Sequence, residues 1–162
     1  MNKLSKIVRN IYKLPTFMQK TALSYSIGNF VKFVGTAGIR FEKMTAQEVV
    51  LSLENKKKVQ NHIGQVHAAA TALLAETATG MVIGMNLPDD KIPLMKNMSI
   101  SYTKRSQGAQ KAVATIAPEM IEQFKTEDKG DILIPVTITD SVGTEVIQAE
   151  MLWAWIPKKK KK

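Results

Sequence analysis

The sequence predicts an α+β fold in which an antiparallel sheet of about six strands wraps around one long helix, with further helices at the N-terminus. Residues 65–79 contain six alanines and no helix-breaking residue, which predicts the long helix. Two strand-like stretches precede it and four follow it, and this order favours a helix packed on a sheet. We therefore expect one domain over residues 1–157.

The first 34 residues predict an N-terminal helical segment. Apolar residues recur there at helical spacing, beginning with Leu4, Ile7, Val8 and Ile11. Pro15 ends or kinks the first helix, and a second helix is expected from about Thr16 to Val34. No acidic residue precedes Glu42. This basic start is typical either of a helix pair packed on the domain or of a transit peptide or membrane-surface helix.

Residues 38–53 predict a β-hairpin. The strands are expected at residues 39–41 and 48–53, and a short polar link at residues 44–47 forms the turn. A charged loop with three consecutive lysines at positions 56–58 follows. Such a run is usually only solvated, but it precedes the central helix directly. It is therefore also a candidate contact for phosphate groups.

The central helix is predicted from about Gly64 to Gly80, with Asn61 as a possible cap and Gly80 as a stop. It is almost uncharged and its side chains are small. Little of it can therefore face water, and strands can approach its backbone closely.

Four strands are expected after the helix, separated by polar turns. They lie at about residues 94–103, 111–117, 132–138 and 145–156. Pro135 lacks a backbone donor and indicates an edge or a bulge in the third of these strands. A polar connection is expected at residues 120–129, and Gly143 suits a hairpin turn.

Composition excludes several kinds of chemistry. The chain has no cysteine and only two histidines, which rules out disulfides and thiolate sites and argues against a metal site. No apolar run is long enough to predict a membrane span. Five of the nine net positive charges lie in the lysine tail, residues 158–162, which we expect to be disordered. We expect a cytoplasmic protein without a nucleic-acid partner.

Glu76 is the one charged residue in the central helix and the main candidate for chemistry. A carboxylate in apolar surroundings is costly, and its pKa rises, which suits a general base or a nucleophile. The alternative is a carboxylate on the solvent-exposed edge of the helix. Asn61 and His67 have similar alternatives, as a cap and as a hydrogen-bonded structural histidine.

Helix geometry separates His67 from Glu76. The two residues are nine positions apart, so they lie about 180° apart around the helix and about 13 Å apart along it. One helix cannot bring them into one site. A twofold dimer would place the helix start of one subunit beside the Glu of the other and would create two equivalent sites.

The arrangement Asn61-x5-His67-x8-Glu76, with Gly64 three residues before the histidine, resembles hotdog-fold acyl-CoA thioesterases of the phenylacetic-acid-degradation type. It looks closest to an uncharacterised branch of that superfamily. The resemblance implies a hotdog fold, a homodimer or dimer of dimers, and no cofactor beyond the coenzyme A of the substrate. It implies that Glu76 activates water or attacks the thioester.

The resemblance also implies roles for the neighbouring residues. Asn61 orients the nucleophilic water, His67 helps to bind the thioester carbonyl, and the backbone N–H of Ala68 polarises that carbonyl. Many relatives have Gly-Gly where this chain has Ala68-Ala69. An alanine keeps the backbone donor, although its methyl group narrows the path for the substrate.

Four further residues are expected to contact the substrate. Gly64 lies in the motif, and Met95 lies near the position where some relatives place a serine. Lys104 and Arg105 form a basic turn that suits the nucleotide phosphates. Two functions stay open: a hydrolase acting on an acyl-CoA or acyl-carrier thioester, and a non-catalytic acyl-thioester-binding module.

Overall fold

The computed structural model describes residues 1–159 and has the predicted α+β architecture. The helices are α1 (Lys3–Ile11), α2 (Thr16–Phe30), α3 (Lys32–Ala37), α4 (Ala68–Gly84) and α5 (Pro118–Thr126). The strands are β1 (Arg40–Met44), β2 (Glu48–Leu53), β3 (Lys91–Tyr102), β4 (Gln110–Thr115), β5 (Gly130–Leu133), β6 (Val136–Asp140) and β7 (Ile147–Pro157). A single 3₁₀ turn, Lys57–Val59, precedes the central helix α4.

All strand pairs are antiparallel, in the orders β1-β2-β4-β6 and β3-β7-β5. β5 and β6 belong to one stretch of chain that is interrupted at Pro135, so residues 1–159 contain seven strands rather than about six. The Ile134 N–H donates to the Met151 carbonyl in β7, and the Pro135 carbonyl accepts from the Thr115 N–H in β4. The same stretch therefore pairs with β7 before the proline and with β4 after it.

β3 contains a β-bulge. Met95 lies opposite Trp153, whereas Asn97 lies opposite Leu152, so Lys96 is the extra residue. Lys96 forms an ion pair with Asp131 of β5. β3 is the outermost strand in the order β3-β7-β5, and most of its side chains from position 94 onwards are exposed. It is therefore an uncovered edge strand, a kind of edge that can pair with another chain.

The central helix begins and ends four residues later than the sequence predicts. Gly64 has a φ of +74°, which is incompatible with a helix, and His67 rather than Asn61 is the N-cap. Gly80 does not stop the helix, which continues to Gly84. Gly80 lies against the Trp153 ring, and a Cβ there would approach that ring to 2.7 Å. The glycine is explained by this close packing rather than by a helix end.

The N-terminal helices pack on the domain. Val8 and Ile11 of α1 and Leu23 and Ile27 of α2 are buried in the core. The predicted second helix is broken at Val31, whose extended backbone separates α2 from α3. These contacts favour the packed helix pair among the two interpretations of this segment.

The polar connection predicted at residues 120–129 contains α5. Pro118 suits the first turn of a helix, and Phe124 packs edge-to-face on Trp155 with ring centroids 5.0 Å apart. After β7, the Lys158 N–H donates to the Asp90 carbonyl at 2.7 Å. Residues 160–162 of the lysine tail lie outside the described residues. No helix within residues 1–159 is long and apolar enough to cross a membrane.

Candidate active site at the start of the central helix

The turn that leads into α4 is built around Asn61. Its side-chain Oδ1 accepts from the backbone N–H groups of Ile63 and Gln65, both at 3.1 Å. Its own backbone N–H donates to the Gln65 carbonyl at 2.8 Å. The positive φ of Gly64 allows this tight reversal, so Gly64 shapes the turn. The Oδ1 of Asn61 is thus occupied, and its Nδ2 group is the part left to contact a ligand or water.

His67 caps α4 and leaves one amide free. Its Nδ1 accepts from the Ala69 N–H at 3.0 Å, so a neutral imidazole carries its proton on Nε2. The Ala68 N–H, at the first position of the helix, has no acceptor within residues 1–159. An unpaired N–H at a helix N-terminus attracts negative charge. It can therefore stabilise an oxyanion.

A cavity of about 190 Å³ opens at this helix start. It brings together four of the predicted residues: Asn61, Ala68, Lys104 and Arg105. The two cations are exposed at its rim, where they can meet anionic groups of a ligand. The helix start and the basic turn therefore border the same cavity.

The cavity also contains polar residues that the sequence did not single out. The Tyr102 hydroxyl donates to the Ala68 carbonyl at 2.7 Å, and burial raises the pKa of Tyr102, so it stays a donor. The Thr71 hydroxyl donates to the Oε1 of buried Gln110 at 2.9 Å. The Nε2 of Gln110 donates to Ser106 Oγ at 3.0 Å. Tyr102 lies at the end of a strand that the alternating pattern predicts, and Thr71 lies one helical turn after His67, so the sequence contains a signal for each of these two residues. It contains no such signal for Gln110.

Asp140 positions the loop that carries the two cations. Its carboxylate accepts from the backbone N–H groups of Gln107 at 2.9 Å, Val142 at 3.1 Å and Thr144 at 2.9 Å. Desolvation would raise the pKa of Asp140, but the three backbone donors outweigh it and lower that pKa. The loop is therefore tied to the β6–β7 turn at neutral pH.

Glu76 lies away from this cavity, about 12 Å further along α4 than Ala68. Its side chain is half-buried and no Lys, Arg or His within residues 1–159 forms an ion pair with it. Burial raises the pKa of Glu76, and a long hydrogen bond from the Thr77 hydroxyl, 3.5 Å, opposes the rise. Such a carboxylate is suited to accept a proton.

Glu76 belongs to a part-exposed stripe that we call the open face of α4, defined by Ala69, Leu73, Glu76, Gly80 and Gly84. These residues recur at intervals of three or four and so lie on one side of the helix. In the single chain, Ala69, Leu73 and Glu76 on this face are partly exposed, whereas Gly80 lies against the Trp153 ring and Gly84 lies beneath the Leu4 side chain.

The remaining predicted residues lie elsewhere. His67 faces a second cavity, of about 260 Å³, between α3 and α4, together with Phe33 and Ala69. Met95 is half-buried in β3, opposite Trp153, and lines neither cavity. Lys58, in the lysine run, donates to the Thr36 carbonyl at 2.7 Å. Residues 1–159 contain no cluster of three or more His, Asp or Glu side chains placed to bind a metal ion.

The fold is similar to that of solved proteins described as thioesterases. A Pseudomonas aeruginosa protein of unknown function, described as a probable thioesterase, superposes with a TM-score of 0.77 at 24% identity, covering 90% of this chain and 97% of its own. A variant of a Staphylococcus aureus thioesterase gives 0.66 at 19% identity, covering 78% and 99%. A Haemophilus influenzae thioesterase gives 0.65 at 13% identity, covering 83% and 90%. The chain therefore has the hotdog fold, which confirms the predicted fold class.

Within this fold class, residues 19–156 match the family model described as "Domain of unknown function (DUF4442)". The chain belongs to this family. No curated protein matches its sequence. The family is uncharacterised, which agrees with the resemblance to an uncharacterised branch of hotdog thioesterases.

Proposed function

We propose that this protein is an acyl-CoA thioesterase whose active site forms between two subunits, from the Ala68 N–H of one and Glu76 of the other. One observation carries the proposal. Within residues 1–159, the helix that exposes an unpaired N–H at its start also holds a half-buried carboxylate without a cationic partner. Burial makes an unpaired carboxylate costly, and thioester hydrolysis uses both a donor to the carbonyl oxygen and a proton acceptor.

In the proposed reaction, the Ala68 N–H donates to the thioester carbonyl oxygen and stabilises the negative charge that develops there. Glu76 takes a proton from a water molecule, and the water oxygen attacks the carbonyl carbon. The carbon–sulfur bond then breaks, and the departing thiolate takes the proton back from Glu76. The products are a carboxylic acid and free coenzyme A. Direct attack by Glu76, through an anhydride that water then hydrolyses, gives the same products.

A dimer is required because the two groups lie about 12 Å apart along one helix. Two features of the single chain support a twofold partner. β3 is a long edge strand with most of its side chains exposed, and the part of the open face around Leu73 and Glu76 is only partly covered. A twofold axis beside them would bring two α4 helices together and create two equivalent sites. A dimer of dimers would repeat the same unit.

Residues around the helix start would hold the coenzyme A portion. Lys104 and Arg105 lie at the rim of the cavity, where their charges suit phosphate groups. The Nδ2 of Asn61 is free to orient the water. His67 lines the second cavity, so its contact with the carbonyl would require the ring to leave its capping position. Met95 lies on β3, beside the proposed subunit contact, and Gly64 holds the entrance turn.

A non-catalytic module that binds acyl thioesters is the second candidate. One observation favours it: the Oδ1 of Asn61 already accepts two backbone N–H groups, so this side chain cannot also accept a hydrogen bond from water without rearranging. Such a module would keep the carbonyl-binding helix start without turnover.

The decisive experiment combines two inactive variants. Glu76→Gln removes the proton acceptor, and Ala68→Pro removes the backbone donor. Each variant alone should lose activity on a panel of acyl-CoAs, measured by release of the free thiol. After unfolding and refolding together, half of the dimers are mixed and each carries one intact site, so activity should return to about a quarter of wild type.

These measurements also distinguish the two candidate functions, a thioesterase with a shared site and a non-catalytic binding module. Loss in both variants without any recovery on mixing would refute a site shared between subunits. A wild-type protein that binds acyl-CoA but hydrolyses it no faster than Glu76→Gln would establish the binding module instead. A protein that stays monomeric at assay concentrations would overturn the shared site.

A further inference from the structure

A larger apolar cavity lies at the opposite end of α4. It has a volume of about 540 Å³, within the roughly 300–1,000 Å³ typical of small-molecule sites. α1, α2, α4 and the start of β3 surround it. Its apolar wall consists mainly of Leu4, Ile7, Ile27, Phe30, Met81 and Pro93.

Specific hydrogen bonds fix α1 over the end of α4. The buried Asn2 side chain donates to the carbonyls of Gly84, at 2.7 Å, and Leu87, at 2.6 Å. The Lys3 N–H donates to the Asp89 carboxylate at 3.0 Å. These bonds hold the N-terminus of α1 in place, so the cavity is a built feature of the fold rather than a gap beside a loose helix.

Gly84 keeps the floor of the cavity open. A Cβ at this position would lie 3.1 Å from the end of the Leu4 side chain. Two of the three lysines that line the cavity have other hydrogen-bond partners, and Lys158 Nζ donates to the Asp89 carbonyl. Lys91 is buried, and its Nζ donates to the carbonyls of Phe124 and Glu127, at 2.8 and 2.6 Å. The apolar interior therefore suits a hydrocarbon chain, and the carboxylate of a fatty acid would remain outside it.

The position of this cavity connects it to the proposed chemistry. Gly84 lies on the open face of α4, two helical turns or about 12 Å beyond Glu76. In the proposed dimer, a chain attached to a carbonyl beside Glu76 would run between this face and the partner subunit, past the Trp153 ring beside Gly80, towards Gly84. The wall formed by α1 precedes residue 19, where the family match begins, so this part of the cavity lies outside the matched domain.

We propose that this cavity binds the acyl chain of the substrate, so that the enzyme acts on thioesters of medium-length or long unbranched acids. This inference rests on the proposed function. The apolar wall, the open floor at Gly84 and the path along α4 from Glu76 together favour an extended hydrocarbon chain. A segment of a second copy of this protein is the competing occupant.

Binding can be tested separately from turnover, with laurate as the probe and calorimetry as the measurement. Ile7→Trp fills the mouth of the cavity and Gly84→Leu fills its floor. Leu14→Trp is the matched control, because Leu14 is also a part-exposed apolar residue of the N-terminal segment but does not line the cavity. We expect wild type and the control to bind laurate equally, and each filled variant to bind it at least tenfold more weakly.

Acyl-CoAs of increasing chain length provide the kinetic test. KM should fall by up to about fourfold for each added methylene while the chain fills the cavity, which is the fold-change that ~0.8 kcal/mol per buried methylene gives. Gly84→Leu and Ile7→Trp should shift the preferred length to shorter chains. Thermal unfolding of each variant checks that the fold is intact.

The outcomes separate this inference from the proposed function. Laurate binding that the filled variants weaken, in a protein without hydrolysis, would support the cavity assignment and refute the thioesterase. If the rate of hydrolysis does not depend on the length of the acyl chain and is unchanged in both filled variants, the cavity assignment alone is refuted. If laurate does not bind and Gly84→Leu weakens self-association instead, the cavity is a contact between copies and the inference is overturned.

Discussion

Ala68→Pro is the sharpest single test of the proposed oxyanion site, because proline removes the backbone N–H and adds only a small ring. Ala68 is the first residue of α4, a position where proline is favoured. His67 before it has φ −63° and ψ 142°, an extended conformation that a residue preceding proline prefers. Since the Ala68 N–H has no acceptor within residues 1–159, the substitution breaks no hydrogen bond that the structure describes.

The loss of activity expected for Ala68→Pro can therefore be measured separately from any change in the stability of the fold. Loss of one oxyanion donor should lower kcat by roughly 10²–10³-fold, or about 3–4 kcal/mol of transition-state stabilisation. The free energy of unfolding, from urea titration, should change by less than about 0.5 kcal/mol.

Ala69→Pro is the contrasting control. The Ala69 N–H donates to His67 Nδ1, so this proline removes the cap and forces Ala68 out of its helical conformation. It should destabilise the fold as well as lower activity. An Ala68→Pro protein that is stable and fully active would refute the assignment of this amide.

Three further predictions concern stability. Burial raises the pKa of Glu76, so wild type should lose stability as the pH rises from the ordinary glutamate value of 4.5 through the raised value. Glu76→Gln should therefore be the more stable protein at pH 7–8, with the difference vanishing below about pH 4 in urea titrations across pH. Gly80→Ala should lower the free energy of unfolding by about 1 kcal/mol. Overpacking against Trp153 costs ~1–3 kcal/mol, which exceeds the ~1 kcal/mol by which alanine is favoured over glycine in a helix. An unchanged free energy of unfolding would mean that the ring moves aside. The pKa of Asp140 is lowered, so its contribution is present above the ordinary aspartate range and is lost as the pH falls through the lowered value. Asp140→Asn should be less stable than wild type at pH 7, and thermal melts of the two proteins should converge in acid.

Regular patterns in the sequence are sufficient to predict the architecture. The alanine-rich run and the alternating strands predict a helix against an antiparallel sheet, and the structure has it. The helix ends were wrong because they depend on contacts between distant residues. Gly80 reads as a stop until the Trp153 ring is seen to occupy the space beside it. Gly64 reads as a helix start until its positive φ places it in a turn.

The candidate site was predictable where it follows the motif and not where it depends on pairing between strands. Ala68 and Asn61 both belong to the motif, seven positions apart, and they line one cavity. Gln110 and Tyr102 reach the same cavity from β4 and β3, and no spacing in the sequence links them to Ala68. His67 was predicted at the helix start, yet it faces the cavity on the other side of α4 because it caps the helix.

The extra residue in β3 has a consequence for the chemistry at the other end of the strand. Inserting Lys96 reverses which side of the sheet each later residue faces. Tyr102 depends on that reversal to hydrogen-bond the Ala68 carbonyl. Deleting Lys96 would turn Tyr102 away from α4 and remove the hydrogen bond between β3 and the first turn of that helix. The length of β3, as much as any side chain in it, therefore sets the geometry at the helix start.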